Sequence, residues 1–255
     1  MAKPAVPRIF VTLAGPSLAA LEDQASQVAG SPIGFELRLD YLQDYRGLEG
    51  QLHQMLTRLH SPQTIATCRR VKAGGKFKGS TEEQIAILQS AARAGCAWVD
   101  VEIESVVDAG TGILRQFRPA KALVSYHDYR RTPSLGSIYR RMARLRARAV
   151  KIATFARELR DNLQVLKVLK TYRRRRPQLV ALALGASGIP SRLLALQWGS
   201  PFTYAAVENQ QGVAPGQLPV DVMRSVYRID QLDRRTHLYG VVGSQASMSL
   251  SPAMQ

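Results

Sequence analysis

Short β-like runs and stretches of helical periodicity alternate along most of this chain, and that alternation limits the available folds more than any other feature. The apolar runs are Ile9–Leu13, Gly34–Asp40, Thr64–Arg69, Trp98–Ile103, Leu123–His127, Ala149–Thr154, Leu179–Leu184 and Pro201–Val207. Between most of them apolar residues recur at helical spacing, in Leu18–Val28, Leu48–Leu59, Glu82–Ala94, Leu135–Arg146, Ala156–Lys170 and Ser191–Trp198. Val220–Leu232, after Pro219, reads as a further helix. Eight strand–helix units predict parallel strands joined by helical crossovers, and favour a closed (β/α)8 TIM barrel of the α/β class over an open sheet. With 255 residues, 45% of them hydrophobic, the chain can bury such a core. The barrel is expected over residues 7–232, followed by a short C-terminal extension over 237–255.

A barrel of this kind gathers its reactive side chains at the C-terminal ends of the strands. Glu36 and Arg38, Arg69, Asp100 and Glu102, His127, Lys151 and Arg192 all fall at, or just after, the ends of the apolar runs. They are expected to converge on one mouth. Lys151 carries the most chemistry, because its neighbours in Ala149–Thr154 are small or apolar. The alternatives are a lysine that snorkels to water and a buried amine. Burial disfavours the ammonium form, and a free amine attacks a ketone to give an imine. His127, closing the preceding run, can supply the base that imine-based proton abstraction needs, provided neighbouring strands bring the two within reach. A capping or core role is its other reading. Asp128 is expected on the opposite side of that strand, capping the next helix.

Gly34–Asp40 alternates apolar and charged residues, so Glu36, Arg38 and Asp40 share one face. Three charges on one face of a barrel strand must pair with one another or hold a ligand. Ala73–Ser80 is rich in glycine but lacks the Gly-Lys-Ser/Thr ending of a phosphate loop, and reads as a connection in which Ser80 or Thr81 caps a helix. Ala214-Pro215-Gly216-Gln217 reads as a turn whose glutamine reaches over the mouth as part of a lid.

Charge raises a separate question. Lys+Arg 35 against Asp+Glu 19 gives +16, with arginine concentrated in Tyr139–Arg148 and Arg173–Arg176. These runs read as solvated helix faces or ends. Phosphate contacts to nucleic acid are the alternative, but aromatic platforms and zinc, homeodomain or RNP patterns are missing, so no nucleic-acid partner is expected. A basic field also draws in anionic metabolites. No run of eighteen apolar residues marks a membrane span, and the first residues are too polar for a secretory signal. Two cysteines, Cys68 and Cys96, make neither a disulfide framework nor a metal cluster, so a cytoplasmic protein is expected.

Taken in order, Glu36–Asp40, Thr67-Cys68-Arg69 before Gly74-Gly75, Asp100-Val101-Glu102, Ser125–Tyr129, Val150–Ala153, Ser191-Arg192 before Gly199-Ser200 and Thr203, and Ala214–Gln217 resemble type I 3-dehydroquinate dehydratase. The resemblance runs from about Pro7 to Asp230. It implies a hydro-lyase of the shikimate pathway that dehydrates 3-dehydroquinate to 3-dehydroshikimate by syn elimination, with neither metal nor cofactor. Lys151 would form the imine with the C3 ketone. His127 would take the C2 proton and return it to the departing C1 hydroxyl. Arg192 and Gln217 would hold the carboxylate and ring hydroxyls, with Glu36, Arg38 and Arg69 on the remaining hydroxyls. Relatives are often homodimers, and the arginine-rich faces bear on whether this chain forms that contact.

Two departures matter. The family usually has Glu where this chain has Ala73, and a small hydroxyl residue where it has Val213. Without that carboxylate, His127 is expected to have a lower apparent pKa, with slower imine hydrolysis. The tail, Tyr239–Gly243 and then Ser249-Leu250-Ser251-Pro252, resembles the start of shikimate dehydrogenase, with Ser249 and Ser251 as its shikimate-binding serines. The alternatives are another class I Schiff-base lyase or aldolase, and a catalytically decayed basic barrel that binds nucleic acid.

Overall fold

The computed structural model describes residues 7–28, 33–59, 63–207 and 213–237. Eight parallel strands are present: β1 (Ile9–Leu13), β2 (Gly34–Arg38), β3 (Thr64–Thr67), β4 (Trp98–Glu102), β5 (Lys121–Asp128), β6 (Ala149–Phe155), β7 (Gln178–Leu184) and β8 (Thr203–Ala206). Each of β1 to β6 pairs with the next in sequence, and β8 pairs back onto β1. The ladder therefore runs from β7 round to β8, and the barrel is nearly closed.

The crossovers are α1 (Leu18–Ser26), α2 (Leu48–Leu59), α3 (Thr81–Ala94), α4 (Ile103–Ala109), α5 (Ile113–Gln116), α6 (Leu135–Ala143), α7 (Asp161–Tyr172), α8 (Ile189–Trp198) and α9 (Val220–Ser225). Ser80 caps α3 in a reciprocal capping box with Glu83, so the glycine-rich stretch before it is a connection. Several elements are shorter than their sequence pattern. β2 gives way to a 3-10 turn at Leu39–Tyr41, and α6 ends at Ala143, ahead of Arg146 with its φ of 57°. α7 starts only at Asp161, whose carboxylate accepts from the Arg157 N–H. The last helix is α9 followed by a 3-10 turn at Ile229–Gln231. α4 and α5 were not expected, because only Ile103, Ser105, Val106 and Ile113 on them are buried, too few to set up a period.

Seven strands are buried over most or all of their length and β5 over its middle, Ala122–Ser125, but the two faces of each strand differ. Outward residues such as Val11, Leu37, Ala66, Val101, Val124 and Ile152 join one core with the helices. Inward residues Phe10, Ile65, Trp98, Leu123, Ala149, Phe202 and Tyr204 belong to a second cluster inside the barrel. Phe10 and Phe202 meet edge to face at 4.7 Å between ring centroids, with Tyr204 5.7 Å from Phe202. Gly34 makes this plug possible, since a Cβ there would lie 2.4 Å from the Phe10 ring. The plug fills the lower lumen and leaves the upper part, toward the strand C-termini, to polar side chains.

Candidate active site

Lys151 is the third of seven residues in β6, within the lumen and below the strand end where the sequence placed it. Only 6% of the residue is exposed, so the snorkelling alternative fails. Its Nζ lies 3.4 Å from Glu36 Oε1, 3.2 Å from Asp100 Oδ2 and 4.1 Å from the centroid of the Tyr204 ring. Two carboxylates and an aromatic face thus accommodate a buried cationic group.

The carboxylates are themselves fixed. Glu36 accepts from Thr12 at 2.8 Å and Thr67 at 3.0 Å. Asp100 accepts from Ser125 Oγ at 2.6 Å and pairs with Arg69 at 2.8 Å. Burial pushes the Asp100 carboxyl up, but the charges of Arg69, Lys151 and His127 outweigh it and hold the group well below the usual carboxylate range. Arg69 also donates to Ser125 at 2.7 Å and approaches Glu102 at 3.4 Å. Burial alone would lower its pKa, yet Asp100 and Glu102 raise it, so this guanidinium stays charged. Arg38 grips Asp40 with two hydrogen bonds of 2.8 and 2.7 Å. The alternating run therefore splits: Arg38 and Asp40 pair with each other, while Glu36 turns to the lysine.

His127 is the seventh of eight residues in β5. In the β5–β6 register Ser125 lies opposite Lys151 and His127 opposite Ala153, so the imidazole stands one inward position above the lysine. Its Nδ1 is sealed and has no hydrogen-bond partner, which leaves Nε2 as the nitrogen able to exchange a proton. Burial pushes the imidazole pKa well below its ordinary value; Arg69, Lys151 and Arg38 add to this and Asp100 opposes it. Tyr129 stacks on it at 6.1 Å, with 14° between the planes. Asp128 does not cap α6: its Oδ1 accepts from the N–H groups of Arg130 and Arg131 and closes the turn after β5.

Arg192, on α8, is only 1% exposed. Its Nη2 donates to the Pro215 carbonyl at 3.1 Å, while its Nε is buried with no partner. Burial lowers its pKa to about 10, against the pull of Glu36 and Tyr129. Gln217 is folded inward, donating to Thr12 Oγ1 and the Ala205 carbonyl, both at 2.8 Å. The turn that carries it packs against β7: Gly216 has a φ of 74°, and a Cβ there would lie 2.2 Å from the Gly185 carbonyl oxygen.

Lys151, His127, Glu36, Arg38, Arg69, Arg192 and Gln217 all line one chamber of about 50 Å³. Tyr129, Tyr204, Thr12 and Val213 are among its other walls. His127 also borders a side cavity of about 290 Å³ with Ala73, Arg70, Glu102, Glu104 and Asp108. Sequence reasoning placed Asp100 at the mouth but gave it no part in the site. The alternation Trp98-Val99-Asp100-Val101-Glu102, the same signal that singled out Glu36, contained it. No sequence pattern pointed to Tyr204. Ser249 and Ser251 lie outside the described residues. Among those residues no group of three His, Cys, Asp or Glu side chains is placed to hold a metal ion, and no helix is long and apolar enough to cross a membrane.

The sequence model of the type I 3-dehydroquinase family matches residues 9–234. A 3-dehydroquinate dehydratase of Dehalococcoides mccartyi is 35% identical over 205 residues, spanning 79% of this chain and 88% of that protein. The crystal structure of 3-dehydroquinate dehydratase from Geobacillus kaustophilus superposes with a TM-score of 0.79 at 24% identity, covering 88% of this chain and 91% of the other. A chloroplastic bifunctional 3-dehydroquinate dehydratase/shikimate dehydrogenase of Arabidopsis thaliana is 29% identical over 222 residues, which are 85% of this chain but 36% of that protein.

Proposed function

The chain belongs to the type I 3-dehydroquinase family, and on that premise we propose how its own residues divide the reaction. The enzyme is a hydro-lyase that dehydrates 3-dehydroquinate through a lysine imine, a step of the shikimate pathway. Lys151 is the nucleophile. Its amine adds to the C3 ketone, and loss of water leaves a protonated imine. That iminium draws electrons from the adjacent carbon, so the C2 hydrogen becomes acidic. His127 Nε2 removes it and hands a proton to the C1 hydroxyl, which departs as water on the same face. Water then hydrolyses the imine and regenerates the lysine.

The observation that supports this most directly is the setting of Lys151: buried, fixed by Glu36 and Asp100, and one register step below a histidine with a single usable nitrogen. The arginines divide by how committed they are. Arg38 and Arg69 already hold Asp40, and Asp100 with Ser125, leaving only their remaining N–H groups for ring hydroxyls. Arg192 has an uncommitted, desolvated Nε and takes the substrate carboxylate. Gln217 exchanges its contacts to Thr12 and Ala205 for a hydroxyl as its turn lifts, because a chamber of about 50 Å³ holds a water or two and not a cyclohexane ring.

Borohydride reduction in the presence of 3-dehydroquinate, read by peptide mass spectrometry, tests this assignment. One reduced adduct is expected on Lys151. Folded protein that turns over substrate with no adduct at Lys151 would remove the lysine from its role. The finer readings are a homodimer, a cytoplasmic site of action, and a tail from Tyr239 that opens a shikimate dehydrogenase-like unit. The last is supported by the Tyr239–Gly243 and Ser249–Pro252 sequence match and by the likeness to the bifunctional plant enzyme.

A further inference from the structure

A cavity of ligand size lies at the far end of the barrel from the chamber. Helices run antiparallel to the strands in this fold, so the ends of α7 and α8 lie at the base. There a cavity of about 350 Å³ is walled by Lys170, Arg173, Gln197, Trp198, Arg234 and His237. That volume is within the range of small-molecule sites. No carboxylate among the described residues lines it. Among the described residues, Arg173 and Arg234 make no ion pair, in contrast to the arginines of the upper lumen. The connections Phe117–Ala120, Arg144–Arg148 and Arg173–Pro177, which lead into β5, β6 and β7, contain no Asp or Glu, and Asp233, next to Arg234, is engaged by the N–H groups of Arg235 and Thr236.

Two further features narrow the occupant. The Trp198 indole provides a flat wall, with Lys170 Nζ 5.5 Å from its centroid. Gln197 donates its Nε2 to the Thr236 carbonyl at 2.8 Å, which fixes the amide, and its Oε1 is left buried with no donor. The cavity therefore offers cationic groups for an anion, a plane for a ring, and one acceptor in need of an N–H. An inorganic phosphate would use only the first of these. A monocarboxylate would leave most of the positive charge uncompensated.

We propose that this cavity binds a nucleoside phosphate, with the phosphates on Arg173 and Arg234, the base against Trp198 in place of the Lys170 ammonium, and a base amino group donating to Gln197 Oε1. The site is independent of the lyase assignment. It favours adenine, whose exocyclic amine projects from the ring edge, over uracil, whose one ring-edge N–H lies between two carbonyl oxygens that repel Gln197 Oε1.

The chain reports on the site directly, because it has two tryptophans and the other, Trp98, is 3% exposed inside the barrel plug. The full chain is titrated with ATP, UTP and tripolyphosphate, without magnesium, while tryptophan emission is followed. ATP is expected to give a saturable change below about 1 mM, with UTP several-fold and tripolyphosphate about tenfold weaker. The Trp198→Phe variant should lose the signal. The R173S/R234S double variant should weaken ATP binding about tenfold by equilibrium dialysis, and Gln197→Leu should erase the preference for ATP over UTP. Unchanged dehydration of 3-dehydroquinate in these variants shows that they fold. Absence of saturable ATP binding by either method overturns the proposal. So does equal affinity for ATP and tripolyphosphate, which would make the base a general polyanion surface, and so does a double variant that binds ATP as well as the parent.

Discussion

The lower and upper halves of the lumen are built from the same strands and from side chains of the same inward parity, yet they share almost no chemistry. On β1, β4 and β6 the inward residues change from Phe10 to Thr12, from Trp98 to Asp100 and from Ala149 to Lys151 within two positions. Below the seam, rings pack edge to face and their burial stabilises the barrel. Above it, Glu36, Arg38, Arg69, Asp100 and Lys151 are desolvated, and pairing at best offsets that cost. The lower layer supplies stability and the upper layer holds chemistry in place. Lys151 lies at the seam, with its ammonium against Asp100 and the face of Tyr204.

The sharpest way to break this comparison is to remove the amine. Lys151→Met is expected to lower kcat by at least about 10⁴-fold, because the imine route has no substitute nucleophile in the chamber. Asp100 keeps Arg69 and Ser125 in that variant, so the midpoint of thermal unfolding should move by only a few degrees. Residual activity above about 1% of the parent would place the chemistry elsewhere.

Phe10→Ala tests the opposite half. Deleting a fully buried ring from the plug should cost about 3–5 kcal/mol in urea unfolding, while kcat of the folded fraction stays within a few-fold. A large loss of kcat with little loss of stability would mean that the plug positions Lys151 through Tyr204 more tightly than the two-layer division allows.

Asp100→Asn acts on both halves at once. It withdraws a charge from between Arg69 and Lys151, leaving two buried cations with one carboxylate fewer. Destabilisation of about 3 kcal/mol is expected, with a fall in kcat of about tenfold or more as the lysine loses a fixed partner. A stable variant with normal kcat would show that Glu36 alone holds the amine.

The two layers were not equally legible in the sequence. The upper layer announced itself, since a charge every second residue in Gly34–Asp40 cannot be ordinary core, and a lysine within Ala149–Thr154 is equally conspicuous. The seven residues expected at the lyase site line the chamber, though Arg192 and Gln217 were named through the family resemblance and not through alternation. The lower layer was invisible as a layer: Phe10, Trp98 and Phe202 look like any apolar strand residue until the register shows which face each takes. Depth was also missed. Periodicity shows which residues alternate but not where the ladder begins, so Lys151 was read as a strand-end residue when β6 continues to Phe155. The commitments of Arg38 and Arg69 to Asp40 and Asp100 were hidden too, because partner choice depends on distances across strands.

The smallest effect concerns His127 at the upper rim, where the charge network meets the side cavity beside Ala73. Burial, Arg69 and Lys151 push its pKa well below the ordinary histidine value, against the weaker pull of Asp100. The neutral base therefore persists at neutral pH, and the acid limb of kcat/KM should lie below the usual histidine range. The same shift has a consequence for stability. Between the depressed folded pKa and about 6.5 the unfolded chain binds more protons than the folded one, so this group's contribution is complete above about pH 6.5 and is lost as pH falls through that window. His127→Gln should flatten that part of the stability profile. Ala73→Glu would place a carboxylate in the cavity that His127 shares with Ala73, favour the imidazolium, and move the acid limb upward by about one pH unit, close to 1.4 kcal/mol. If the limb stays where it is in Ala73→Glu, a carboxylate at that position does not reach the imidazole. The pKa of His127 would then be set by its burial and by the charges of the upper layer.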